Sequence, residues 1–238
     1  MTIYPLKTLG LIGGMSWEST VPYYRLINET VKVRLGGLHS AKIVLYSVDF
    51  AEVEHLQASG QWQAAGALLA DVAQRLEGAG ADALVLCTNT MHKVADAITA
   101  AVHIPLLHIA NPTALAIRQA GYTTVGLLGT RFTMEQDFYR QRLEQHGLTV
   151  LTPGQADRDR VHQIVYQELC LGQVRDASRQ AYLRVIAGLG AQGAQAIILG
   201  CTEIGLLIHP ADCQLPLFDT TALHALSAAH WAMSVPSP

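Results

Sequence analysis

The sequence predicts an α/β protein made of two pseudo-symmetric three-layer α/β domains, each with a mainly parallel sheet. Short runs rich in Val, Ile, Leu and Gly alternate with longer Ala-, Leu- and Gln-rich segments of helical period, which is typical of parallel strands covered by helices. The strand-like runs of the second half also repeat those of the first half in the same order. We expect the active site in the cleft between the domains, where α/β sheets bind ligands.

The elements follow one another in a regular order. The segments with the pattern of strands are 8–13, 41–48, 81–87, 104–109, 124–129, 194–200 and 215–219. The segments with helical period are 19–34, 61–78, 92–101, 112–119, 134–146, 161–171 and 176–190. Gly-bearing stretches at 35–40 and 154–160 are predicted to be loops.

Three pairs of segments carry the internal repeat. TLGLIGG matches TVGLLGT at an offset of 116 residues, GADALVLCTNT matches GAQAIILGCTE at 113, and IPLLHI matches LPLFDT at 111. Strands of unrelated α/β proteins also resemble one another, but three matches in order favour a duplicated unit. We predict a first domain of residues 1–102 plus 213–238 and a second domain of residues 103–212.

Composition favours a small-molecule partner. Of 238 residues only 15% are charged, and the net charge is −3, so we expect neither nucleic acid nor a membrane as partner. The first residues show no basic run before an apolar block, which predicts a cytoplasmic protein. The four cysteines lack CxxC spacing, so free thiols are expected and a metal site is not; they are Cys87, Cys170, Cys201 and Cys213.

The middle pair of the repeat places polar residues at two equivalent strand ends. It aligns Thr88 with Cys201, and it aligns Asn89 and Thr90 with Thr202 and Glu203. Backbone N–H groups at such turns suit a carboxylate ligand, and a helix start lowers a thiol pKa, so Cys201 can serve as base or nucleophile. The alternative, that a free cysteine is only packed in the core, is our interpretation of the other three cysteines.

Two further loops offer binding groups. GGMSWEST contributes Met15 and Ser16, and GTRFT contributes Thr130 and Thr133, although helix capping explains these hydroxyls equally well. Neither loop is GxGxxG, which disfavours a dinucleotide. Arg160, predicted to head a helix, supplies a positive charge for an acidic side chain, or is a surface arginine.

The motifs GLIGGMSWEST, NTMH, ELCLG and LGCTEIGLL resemble those of the cofactor-independent aspartate/glutamate racemase family, from about Lys7 to the last helix. The resemblance implies a pseudo-symmetric two-domain fold, often a homodimer, in which two cysteines exchange the Cα proton without metal or pyridoxal phosphate. Here Thr88 stands where two-thiol members have Cys before Asn-Thr. This departure resembles the branch specific for L-aspartate and L-glutamate.

The resemblance therefore implies an isomerase that needs no cofactor, with Cys201 as base toward the L-isomer and Thr88 on the opposite face. The implied partner is a small acidic amino acid, held by Met15, Ser16 and the polar loop residues named above. Two alternatives stay open. One is a single-cysteine decarboxylase or maleate-type isomerase of the same superfamily, and the other is a protein that binds an acidic metabolite without turning it over.

Overall fold

The computed structural model describes residues 6–234. The chain divides into two compact units. Unit 1 holds the chain up to Cys87, Lys93–His108 and the chain from His224, and unit 2 holds Thr88–His92 and Ile109–Leu223. The outermost ends of the predicted first domain, residues 1–5 and 235–238, lie outside the described residues.

Strands and helices alternate along the described chain. The strands are β1 (Thr8–Gly13), β2 (Lys42–Ser47), β3 (Ala83–Leu86), β4 (Leu106–Leu107), β5 (Thr124–Gly129), β6 (Thr149–Leu151), β7 (Ala196–Gly200) and β8 (Leu217–Asp219). The helices are α1 (Trp17–Leu35), α2 (Phe50–Ala58), α3 (Trp62–Gly78), α4 (Ala95–Ala100), α5 (Ala110–Gln119), α6 (Arg131–Glu135), α7 (Asp137–Glu144), α8 (Gln155–Gln167), α9 (Asp176–Ala191), α10 (Ile204–Leu207) and α11 (Thr220–Met233). Short 3-10 helices lie at Thr90–Val94, Leu169–Leu171 and Pro210–Asp212.

Each unit contains one parallel four-stranded sheet. The order is β2-β1-β3-β4 in unit 1 and β6-β5-β7-β8 in unit 2. Strands that correspond in the sequence repeat take the same position in each sheet, with β3 between β1 and β4 and β7 between β5 and β8. The prediction of two pseudo-symmetric α/β halves with parallel sheets is confirmed.

Helices cover both faces of the unit 2 sheet because its strands alternate their side chains. Leu128 and Ile197 pack on one face with residues of α8, α9 and α10. Val125 and Ile198 pack on the other face with residues of α5 and α7. In unit 1, Cys87 is buried in a core formed by β1, β3, α1 and α11, in agreement with its predicted packing role.

The predicted domain boundaries differ from the units that strand pairing defines. Leu106 and Leu107 of β4 pair with β3, so they belong to the first sheet and not to the second domain. Leu217–Asp219 of β8 pairs with β7, so it belongs to the second sheet and not to the first domain. The reason is the repeat itself, because β4 and β8 are equivalent fourth strands of the two halves.

Several local predictions need correction. Residues 154–160 are not a loop, since α8 begins at Gln155 after the extended Gly154. Helix α2 was not predicted; Asp49 caps it by accepting a hydrogen bond from the Ala51 N–H at 3.1 Å. The three-residue strand β6 was missed because it is too short to show a period. Among residues 6–234 no helix is long and apolar enough to cross a membrane.

Candidate active site

The TNT turn begins at Thr88, one residue after Cys87, which follows the last residue of β3, and His92 closes it with hydrogen bonds. Thr88 is buried, and its carbonyl oxygen lies 2.7 Å from Nδ1 of the buried His92. The Ile109 N–H donates to Nε2 of the same ring at 3.2 Å. A carbonyl can only accept, so Nδ1 carries the ring proton and Nε2 its lone pair. The histidine thus positions the Thr88 backbone, and it is not a solvated residue.

A chain of hydrogen bonds joins this turn to the strand that precedes Cys201. The Asn89 Nδ2 donates to the Thr220 hydroxyl at 3.0 Å, and that hydroxyl donates to the Leu199 carbonyl at 2.8 Å. All of these groups belong to unit 2. The residue after Thr88 is therefore linked through one side chain to the residue two positions before Cys201.

Three buried threonine hydroxyls form a second cluster in unit 2. The Thr90 and Thr130 hydroxyls lie 2.9 Å apart, Thr130 and Thr133 lie 3.2 Å apart, and Thr90 and Thr133 lie 3.4 Å apart. Thr130 also caps α6 by accepting from the Thr133 N–H at 3.3 Å. Capping thus holds for Thr130, and the same hydroxyl is shared with the TNT turn.

The Cys201 thiol is buried beside a carboxylate. Its S–H donates to Oε2 of Glu203 at 2.9 Å, and the Thr202 hydroxyl donates to the same oxygen at 2.9 Å. Burial in an apolar core raises the pKa of Cys201 well above its ordinary value, and the negative charge of Glu203 raises it further. The expected lowering of this pKa by a helix start is wrong, because desolvation and Glu203 outweigh the four-residue helix α10.

Met15 and Ser16 lie in unit 1, in the turn between β1 and α1, and both are buried. Ser16 stands at the start of α1 without capping it through its side chain, and its carbonyl oxygen accepts from the Thr20 hydroxyl at 2.8 Å. The glycines of this loop are needed by the chain itself. A Cβ on Gly14 would stand 2.3 Å from the Val48 carbonyl oxygen, and one on Gly13 would stand 2.5 Å from Thr20 Cγ2.

Arg160 does not head a helix as predicted. It lies in the interior of α8, whose first residue is Gln155, and its side chain is exposed. The loop prediction for 154–160 had placed the helix start too late. Within the described ranges, no group of three or more His, Cys, Asp or Glu side chains could hold a metal ion.

Comparison with known proteins identifies the family. The model of the Asp/Glu/Hydantoin racemase family matches residues 12–228, which is most of the chain. The chain belongs to this family. This assignment agrees with the resemblance drawn from motifs such as NTMH and LGCTEIGLL, which both fall inside the matched range.

Two solved structures and one sequence relative support the family. A provisionally identified Asp/Glu racemase from Yersinia pestis is 61% identical, with a TM-score of 0.88 over 96% of this chain and 100% of that one. An aspartate racemase homologue from Pyrococcus horikoshii OT3 is 30% identical, with a TM-score of 0.82 over 96% and 100% of the two chains. The broad specificity amino-acid racemase RacX of Bacillus subtilis is 24% identical over 92% of this chain and 95% of its own.

In this family member, sequence reasoning missed one residue of the candidate site, Thr220. A threonine after a strand and an aspartate is typical of a helix start, and Asp219 does cap α11 by accepting from the Thr221 N–H at 2.8 Å. The available signal was the repeat, because it places residue 220 at the carboxyl end of β8, next to the end of β7. The Thr88 and Cys201 side chains belong to the same unit, and the prediction that they face each other stays a prediction.

Proposed function

We propose that the protein is a cofactor-independent racemase of acidic amino acids, acting on L-aspartate and L-glutamate with Cys201 as base and Thr88 on the opposite face of Cα. The observation that carries the proposal is the buried Cys201 thiol donating its proton to Glu203 at 2.9 Å, in a chain of the racemase family. A carboxylate in contact with a thiol can accept its proton, and the thiolate that forms is a base.

The first proton moves to Glu203. Because the pKa of Cys201 is raised, the resting group is the thiol, and the Glu203 carboxylate takes the S–H proton when substrate binds. The thiolate then removes the hydrogen from Cα and becomes a thiol again. A proton delivered from water through the Thr88 hydroxyl adds to the other face, and Glu203 returns its proton to solvent.

Thr88 limits the rate in this scheme. A threonine hydroxyl is too weak an acid to exist as an alkoxide near neutral pH, so it relays a proton and is not itself the base. Two enantiomers have equal free energies in water, so kcat/KM must be equal in both directions. The proposed enzyme therefore interconverts the enantiomers slowly, with return activity on the D-isomer.

Asn89 supports an amino acid as substrate. Its Oδ1 is buried, and within residues 6–234 no donor reaches it, while its Nδ2 is held by Thr220. A buried acceptor without a donor is costly, and an α-ammonium group would supply N–H donors. Arylmalonates and maleate carry no such donor, so this atom favours a racemase over the decarboxylase and the maleate isomerase.

The threonine cluster supports a carboxylate as the second recognition element. The hydroxyls of Thr90, Thr130 and Thr133 can satisfy one another in the absence of ligand, and their protons rotate freely toward an incoming anion. Thr202 and Arg160 complete the proposed substrate-binding set in unit 2, with Arg160 as the positive charge for the side-chain carboxylate. Met15 and Ser16 stay predicted binding residues.

A binding protein without turnover is the second candidate. The raised pKa of Cys201 favours it, because a thiol that never ionises cannot act as base. This candidate predicts the same preference for acidic amino acids and the same contacts, without chemistry at Cα.

Chiral chromatography of product tests the proposal. The wild-type protein is incubated with L-aspartate, L-glutamate and, as a non-acidic control, L-alanine. We expect D-aspartate and D-glutamate to accumulate toward equal mixtures, little D-alanine, and a loss of at least about 100-fold in Cys201→Ala. Binding of the acidic amino acids without any D-product would favour the binding protein instead.

A further inference from the structure

We propose that Thr220 is a positioning residue that makes the site select ligands with an amino group on the carbon next to the carboxylate, because its hydroxyl fixes the orientation of the Asn89 amide. The inference rests on the proposed function for the class of ligand, an acidic amino acid. It does not depend on whether that ligand is turned over.

The single proton of the Thr220 hydroxyl is used in a hydrogen bond to a backbone carbonyl. Thr220 is fully buried, and its Oγ1 lies 2.8 Å from the carbonyl oxygen of Leu199. A backbone carbonyl oxygen can only accept a hydrogen bond, so the hydroxyl must donate to it. Toward any other neighbour the Thr220 hydroxyl oxygen can therefore only accept a hydrogen bond.

The orientation of the Asn89 amide follows from the hydrogen bond that Thr220 donates to Leu199. The Asn89 atom that lies 3.0 Å from Thr220 Oγ1 must be a donor, so it is Nδ2. A flipped amide would bring two acceptors together. Oδ1 is then the atom that remains, and it is buried without a donor from the described part of the chain.

An acceptor held in this way discriminates by chemistry. An α-ammonium group offers N–H donors to Oδ1, whereas the CH2 group of an otherwise identical dicarboxylate offers none. If the amide could rotate, Nδ2 would face the ligand as readily as Oδ1, and the discrimination would be lost. Selectivity for the amino group thus depends on a residue that does not itself contact the ligand.

Regular secondary structure holds Thr220 and the Leu199 carbonyl in place. Thr220 is the first residue of α11, and Oδ1 of Asp219 caps that helix by accepting from the N–H groups of Thr221 at 2.8 Å and Ala222 at 3.3 Å. The Leu199 carbonyl belongs to β7, whose strand position is set by pairing with β5 and β8. Thr220 and its acceptor are therefore both held by regular structure.

Calorimetric binding of L-aspartate and of succinate, which lacks only the amino group, tests the inference. In wild type we expect L-aspartate to bind more tightly than succinate. In Thr220→Val, which keeps the shape and loses the hydroxyl, we expect the ratio of the two affinities to fall about 10-fold or more. In Thr220→Ser, which restores the hydroxyl, we expect it to stay within about 3-fold of wild type.

Two controls separate positioning from general damage. Thr113→Val removes another fully buried hydroxyl that donates to a backbone carbonyl, that of Ile109 at 3.0 Å, and should leave the affinity ratio unchanged. In an Asn89→Leu background, the ratio should already be low and Thr220→Val should not lower it further, because the two residues act through one atom. If Thr220→Val does not fold, Thr220→Ala serves in the same comparison.

The inference is overturned if wild type does not prefer L-aspartate, if Thr220→Val keeps the wild-type ratio, or if the loss persists undiminished in the Asn89→Leu background. These outcomes are independent of the racemase proposal. A wild-type protein that prefers L-aspartate through Thr220 and yet makes no D-aspartate would refute the racemase and leave the role of Thr220 standing.

Discussion

The Cys201 sulfur and the Glu203 Oε2 lie 2.9 Å apart, with the thiol donating. Burial is the larger cause of the raised pKa of Cys201, and the negative charge of Glu203 adds to it. Glu203 therefore helps to keep the thiol neutral, and in the proposed mechanism it is also the group that accepts the thiol proton.

Replacement of Glu203 by glutamine should separate these two effects. The pKa of Cys201 should fall, because a negative charge next to the sulfur is lost, while racemisation should slow by about 10-fold or more, because the proton acceptor is lost. Thiolate absorbance as a function of pH, corrected with the matching Cys201→Ala variant, measures the first effect. The exposed Glu144→Gln makes the same charge change and should alter neither; unchanged racemisation in Glu203→Gln would exclude Glu203 as acceptor.

Thr88→Cys should give the site the second thiol, directly before Asn-Thr, that the resemblance implies for two-thiol members of the family. A thiol ionises far more readily than a hydroxyl, so the rate of interconversion should rise about 10-fold or more. The kcat/KM values for the two enantiomers, measured by circular dichroism, should rise together, since their ratio is fixed by thermodynamics. Thr88→Ser keeps a hydroxyl and should remain slow; an unchanged rate in Thr88→Cys would show that residue 88 is not on the path of the proton.

The buried Tyr23–His224 pair should make the stability of the protein depend on pH. The Tyr23 hydroxyl lies 2.9 Å from Nδ1 of His224, and Nε2 lies 2.7 Å from the Leu107 carbonyl oxygen. Burial lowers the pKa of His224 from 6.5 to about 4. Protonation thus favours the unfolded chain, and stability present above pH 6.5 is lost as the pH falls toward about 4.

The size of this effect is about 3 kcal/mol in the free energy of unfolding. Urea unfolding of wild type and of His224→Gln across that pH range measures it. The glutamine variant should be less stable at neutral pH and should lose this part of the pH dependence. Equal slopes in the two proteins would show that His224 is already protonated in the fold or that its pKa is ordinary.

Gly14 should be far less tolerant of alanine than Gly36, although both have positive φ, 89° and 74°. A Cβ at Gly14 would overlap the Val48 carbonyl oxygen, whereas one at Gly36 meets nothing within 4 Å. We expect Gly36→Ala to cost about 1 to 2 kcal/mol of backbone strain and Gly14→Ala at least about 1 kcal/mol more. Equal unfolding free energies for the two variants would mean that the loop of Met15 and Ser16 has space for a methyl group at Gly14, contrary to the close contact with Val48.

The fold was predictable because its signals are repeated. Strands β1 and β5 begin and end where the sequence pattern places them, and the strands that match in the repeat take equivalent positions in the two sheets. The domain boundaries were not predictable from the pattern of elements, since the first unit takes up the chain again at His224, inside α11. Contacts between residues far apart in the sequence decide that boundary, and the local periodicity of the sequence gives no sign of them.

The sequence supplied candidate residues for the site but not their electrostatics. The alignment of Thr88 with Cys201 brought out the TNT turn and Glu203, but the pKa of Cys201 depends on how deeply the thiol is buried, and the sequence does not fix that depth. Thr220 was missed for a related reason. Its role arises from two hydrogen bonds to residues far apart in the chain, Asn89 and Leu199.

The most direct measurement of the central claim is exchange of the Cα hydrogen of L-aspartate in D2O, followed by proton NMR in wild type and in Cys201→Ala. The account predicts that wild type replaces this hydrogen by deuterium and forms D-aspartate, and that Cys201→Ala does neither at a comparable rate. Exchange that is equally fast in the two proteins, or absent from both, would contradict a proton transfer at Cys201.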